Sequence, residues 1–132
     1  MIYSERKTQS GITQAILTEN GALHVRRTRG NRIVGGFRFR TGREIDLLER
    51  AISLAKTIAL EKSGRTERVG RIGLPSCGIR IEVAASAGHI VMRLAFPNGD
   101  TRGRATICGE DLAALALAVS EFKKATAAPA AL

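Results

Sequence analysis

The sequence predicts an α+β fold made of two tandem β-β-β(-β)-α repeats that form one pseudo-symmetric domain, with antiparallel sheets and helices packed together. Three observations predict it. TGREIDLLERAISLAK (41–56) and CGEDLAALALAVSEFK (108–123) superpose at an offset of 67 residues, and the offset runs backwards without a gap. Gly11 meets Gly78, Gly21 meets Gly88, Arg26 meets Arg93, Asn31 meets Asn98 and Gly36 meets Gly103. Within each copy, apolar residues first alternate, as in strands, and then recur at helical spacing. Finally, a unit of this length is marginal alone, so two must share a core.

The elements follow in order. In the first copy, Ile12 to Leu17, Leu23 to Arg27 and Ile33 to Arg40 read as strands. A helix follows from about Arg43 to Leu60, with Ile45, Leu48, Ile52 and Ala55 as its apolar stripe. In the second copy, Ile79, Ile81 and Val83 alternate with Arg80 and Glu82. The Ser86–Gly88 turn leads to a strand around Ile90 and Met92. Pro97-Asn98-Gly99-Asp100 is a turn, because Asn and Gly tolerate positive φ. Arg102 to Ile107 closes the sheet, and Leu112, Leu115, Ala118, Val119 and Phe122 mark a helix. Tyr3 to Lys7 and Val69 to Leu74 are candidate lead-in strands. The organisation is repeat one at about 8–61, a basic connection at 62–71, repeat two at about 72–125 and a tail at 126–132.

Composition narrows the function. Twenty-one Lys and Arg against twelve Asp and Glu give a net charge of +9, and sixteen of the basic residues are arginine. Arginine's planar fork pairs with phosphate and stacks on rings, so the excess points to polyanionic partners. Residues 11–61 carry nine basic and five acidic side chains, 62–77 four and one, and 78–125 six and five. The first copy and the connection are therefore expected to dominate phosphate contact. Cys77 and Cys108 are too few for a disulfide framework or a cysteine-based zinc site and read as reduced core or near-core residues. No apolar run is long enough for a membrane span, and MIYSERKTQSG lacks a signal-peptide core. A cytoplasmic protein is expected, with association to the nucleoid as the alternative.

Enzymatic motifs do not emerge. His24 and His89 are not equivalent in the two copies and adjoin no carboxylate cluster, and neither a P-loop nor a G-x-G-x-x-G is present. Glu44, Asp46, Glu110 and Asp111 crowd the starts of the two helices, where they favour the N-terminal dipole. Capping explains them better than a metal site. No catalytic residue, metal or cofactor is expected.

GFRFRTG (36–42) leaves two readings open. At an offset of 67, Phe37 and Phe39 fall on Arg104 and Thr106, outside a core built from Ala105 and Ile107. They would then stack on bases beside His24, Arg26, Arg93 and Arg104. Alternatively, a β-bulge at Gly35-Gly36 shifts the strand by one residue, which buries both rings and turns Arg38 and Arg40 outward. Either reading leaves a sheet face lined with arginine.

IVMRLAFPNGDTRGRATICGEDLAALALAV and its counterpart ALHVRRTRGNRIVGGFRFRTGREIDLLERAI resemble the β-β-β-β-α single-strand-binding folds: the positive-cofactor-four coactivators, the Whirly proteins and the Pur-alpha repeats. The likeness lies in topology over nearly the whole chain. The Whirly-type Lys-Gly-Lys signature is absent, and the aromatic positions follow no one family. The resemblance implies single-stranded DNA or RNA as partner, little sequence preference, and a role in transcription, replication or nucleoid maintenance. It also implies either a monomeric pseudo-dimer or a homo-oligomer such as a dimer. The candidate contacts are Arg26, Arg32, Phe37, Arg38, Phe39, Arg40, Arg80, Arg93, Arg102 and Arg104. The alternative is a protein-interaction or assembly subunit with no nucleic-acid role.

Overall fold

A computed structural model describes residues 1–73 and 78–127. Cys77 and Leu74 therefore lie outside the described residues. The element order is β1 (Ile2–Lys7), β2 (Thr13–Glu19), β3 (Ala22–Arg29), β4 (Arg32–Phe39), α1 (Gly42–Glu61), β5 (Glu67–Gly73), β6 (Arg80–Ser86), β7 (His89–Ala95), β8 (Thr101–Cys108) and α2 (Glu110–Ala127). Strands β1-β2-β3-β4 form one antiparallel sheet and β5-β6-β7-β8 the other, each followed in the chain by a helix. Both lead-in strands are present, so each repeat is β-β-β-β-α.

Turn chemistry sets the hairpins. Asn20 and Gly21 both take positive φ, 53° and 74°, and link Glu19 to Ala22 in a two-residue turn. This is the backbone that an Asn-Gly pair supplies with least strain. In the longer β7–β8 turn, Phe96 and Asp100 close the loop through a 2.9 Å backbone hydrogen bond, and Gly99 sits at φ 92°. The start of α1 is a capping box. Glu44 N donates to Thr41 Oγ1 at 3.2 Å, while the Glu44 carboxylate accepts from the backbone N–H groups of Arg40 and Thr41.

The compact units do not follow the repeat boundaries. One comprises residues 1–45 and 113–132, the β1–β4 sheet with nearly all of α2. Its core is Ile16, Leu23, Val25, Phe37 and Phe39 with Leu115, Ala118 and Val119. Tyr3 Oη donates to Glu121 Oε2 at 2.5 Å, tying β1 to α2. The other unit comprises residues 46–112, most of α1 with the β5–β8 sheet. Its core is Ile81, Val83, Ile90, Met92, Ala105 and Ile107 with Leu48, Ala51, Ile52, Ala55 and Ile58. The Gly88 N–H donates to the Ala55 carbonyl at 3.0 Å. Each sheet is thus covered by the helix of the other repeat. The stripe Ile45, Leu48, Ile52 and Ala55 is buried as its spacing predicts, and so are Leu112, Leu115, Ala118 and Val119.

Candidate functional site

The alternation within a strand determines which side chains share a sheet face, and bulges reset it. In the first sheet, Val25 pairs with Ile16 and Phe37, and Leu23 pairs with Phe39. This is the helix-covered face, where Phe37 is 3% and Phe39 0% exposed. Of the two readings of GFRFRTG the structure has the buried one: Phe37 and Phe39 are core, and the stacking role expected for them is corrected. The reason lies in the hairpin turns, since the bulges add one residue to each closing strand: Arg29 pairs with Arg32 across two residues, whereas its counterpart Phe96 closes the β7–β8 turn with Asp100 across three. β4 carries an extra residue at Val34, between the Arg27–Gly35 and Thr28–Ile33 pairs. β8 carries its own irregularity at Gly103, whose φ is 68°. Val25 faces Phe37 while its counterpart Met92 faces Ala105. Phe37 and Phe39 thus match Ala105 and Ile107, one residue off the 67-residue register, and the shorter turn from β8 into α2 restores that register in the helices.

The second face of the first sheet carries His24, Arg26 and Arg38, with His24 and Arg38 directly paired. Arg38 is exposed, as is Arg40 just beyond the strand. Arg26 Nη2 lies 3.0 Å from Glu19 Oε2 and holds that carboxyl below its ordinary pKa. His24 Nε2 is 3.3 Å from the Glu19 carbonyl oxygen. Burial draws the imidazole below its ordinary pKa, and the Arg38 and Arg26 charges push the same way. Ala15, Leu17 and Ala22, small or apolar, are buried on this face. Arg32 is exposed at the start of β4, next to Ile33 and Val34, which are also exposed. Arg27 falls on the opposite, helix-covered side, opposite Gln14 and Gly35.

On the second sheet the corresponding face holds Arg71, Glu82 and Arg93 in one row across β5, β6 and β7. Arg104 is exposed on β8 beside this row, and Arg80 is exposed at the start of β6. Arg102 leaves the set. Its guanidinium lies 5.3 Å from the centre of the Phe96 ring, a cation–π contact at the end of the hairpin. It pairs with Leu94, away from the arginine row.

Arg68 and Arg71 lie in the basic connection at 62–71 but are not among the contacts that the sequence predicts individually. Three residues apart, they would face opposite ways on a regular strand. An extra residue at Val69, between the Arg68–Ala84 and Gly70–Val83 pairs, puts both on the Glu82 side. β1 has the matching irregularity at Tyr3. The signal available in the sequence was the ERVGR run read against the lead-in strand. Arg65, by contrast, is bound to both Glu61 and Glu67.

Cys108 is a half-buried free thiol. Among the described residues, no group of three or more His, Cys, Asp or Glu side chains is placed to hold a metal ion, and no helix is long and apolar enough to cross a membrane. No protein-family model, curated protein or solved structure matches the chain.

Proposed function

We propose that this chain binds single-stranded DNA or RNA with little sequence preference, through the second face of each sheet. The observation that supports this most is that both sheets, by register, put arginines on the face away from their helix. Arg26 and Arg38 stand there on the first sheet, and Arg68, Arg71, Arg80, Arg93 and Arg104 on the second. Guanidinium groups neutralise phosphates and also stack on unpaired bases. With Phe37 and Phe39 in the core, arginine planes take over the stacking role, and affinity rests chiefly on the backbone charge. Such contacts position a strand without reading its sequence. The β-β-β-β-α order fits the likeness to the positive-cofactor-four, Whirly and Pur-alpha proteins, which stays part of this proposal.

Fluorescence anisotropy of a labelled strand of about twenty nucleotides, against a duplex of the same sequence over a salt series, tests the reading. Preferential binding of the single strand is expected, with a log–log salt slope of several units, about 0.7 for each phosphate neutralised. Absence of binding to either form at low salt would turn the search to a protein partner.

A further inference from the structure

We infer that Arg68, Arg71 and Arg93 form a phosphate-binding site for a nucleic-acid backbone, pre-assembled around Glu82. The inference rests on the proposed function and adds a location to it.

Glu82 is the most enclosed member, with its side chain 15% exposed, and forms the floor of the cluster. Arg71 clamps it: Nε and Nη2 lie 3.1 and 3.0 Å from the same oxygen, Oε2. Arg68 Nη1 and Arg93 Nε come only to 3.8 Å from Oε2 and Oε1. At that distance they feel the carboxylate charge but make no hydrogen bond to it. The Arg68 side chain is 58% exposed and that of Arg93 35%. Three cations around one anion leave a net charge of +2 on side chains that are all open to solvent. A phosphodiester, one negative charge with two free oxygens, is the kind of acceptor that guanidinium groups pair with.

Glu82 has two consequences for the site. It gathers three guanidinium groups that would otherwise repel one another, and it supplies the resident negative charge that an incoming phosphate must tolerate. The first sheet lacks this arrangement, because Ala15 stands where Glu82 would be and Arg26 turns to Glu19 at the strand end. The cluster is therefore a property of the second sheet.

The test compares Arg68→Ala, Arg93→Ala, Glu82→Gln and the wild-type chain. Each is titrated with the labelled single strand over a salt series, and its fold is checked by thermal melting. Each arginine variant should bind several-fold more weakly with a slope lower by about 0.7. Arg68→Lys should keep the slope, since its charge remains. Glu82→Gln keeps an amide oxygen that can hold Arg71 in place and removes the competing charge, so it should bind several-fold more tightly. If the wild type binds but Arg68→Ala and Arg93→Ala match it in affinity and slope, the cluster is only an ion-pair brace and the inference fails while the proposed function stands. A second arm titrates pyrophosphate against the arginine Nε–H signals in NMR. If the strand does not bind, shifts at Arg68, Arg71 and Arg93 keep the phosphate site while the proposed function falls. No shift and no strand binding overturn both.

Discussion

Tyr3 and Glu121 meet through a 2.5 Å hydrogen bond, which joins a strand of the first repeat to the helix of the second. Helical periodicity identifies a stripe that must be buried but not the sheet that buries it. The contact shows where the α2 stripe goes: onto the sheet of the other repeat.

Removing this bond by Tyr3→Phe should destabilise the chain by about 1 kcal/mol in chemical denaturation. The hydrogen bond to Glu121, aided by burial, raises the Tyr3 pKa above its ordinary 10.0. The sign follows from linkage. With the folded value the higher one, the contribution is complete below about pH 10 and is lost as pH rises through the folded value. Wild type and Tyr3→Phe should therefore converge in stability at high pH and differ below it.

Gly70 makes the matching close approach in the other unit. A Cβ built there would lie 2.6 Å from Leu47 Cδ1, and Leu47 is buried on α1. Gly70→Ala should cost about 1 kcal/mol by overpacking. Adding Leu47→Ala, which removes the clashing methyl groups, should abolish that increment in a double-mutant cycle.

The two aromatic residues of GFRFRTG should behave as core and their arginine neighbour as surface. Phe39→Ala should cost about 3–5 kcal/mol, and Phe37→Ala should fall in the same range. Arg38→Ala should change stability by less than about 0.5 kcal/mol while weakening strand binding. Urea denaturation beside anisotropy separates the two effects.

His24 reports on the first sheet. Its folded pKa is depressed below 6.5, mainly by burial and then by Arg38 and Arg26. Its contribution to stability is thus complete above about pH 6.5 and is lost as pH falls through the folded value. A bound phosphate would offset the two arginine charges. The NMR titration of His24 should accordingly move upward when the single strand is added.

The legible parts of this molecule were those governed by local periodicity. The repeat, the helix stripes, the hairpin turns and the capping Glu44 could all be read from residue spacing. What escaped depended on single extra residues. The β7–β8 turn holds one residue more than the Gly30-Asn31 turn, while the bulges at Val34 and Gly103 add one residue to each strand, so a 67-residue alignment that holds in the helices misplaces Phe37 and Phe39 by one position. Val69 adds one residue to β5 and moves Arg68 onto the face of Arg71. A one-residue slip exchanges every side chain between faces, so a site on a sheet is far more sensitive to bulges than the fold itself. The exchange of helices escaped for a different reason: both sheets present apolar surfaces that either helix stripe could cover.

The central claim, that the second sheet faces hold the strand, is tested most directly by replacing Arg26, Arg38, Arg93 and Arg104 together with alanine. The salt slope for a single strand is then measured against wild type. A slope lower by roughly 3, at about 0.7 for each lost phosphate contact, with binding largely abolished at moderate salt, is the predicted result. A folded variant that keeps the wild-type slope and affinity would contradict the claim and place any binding elsewhere on the chain.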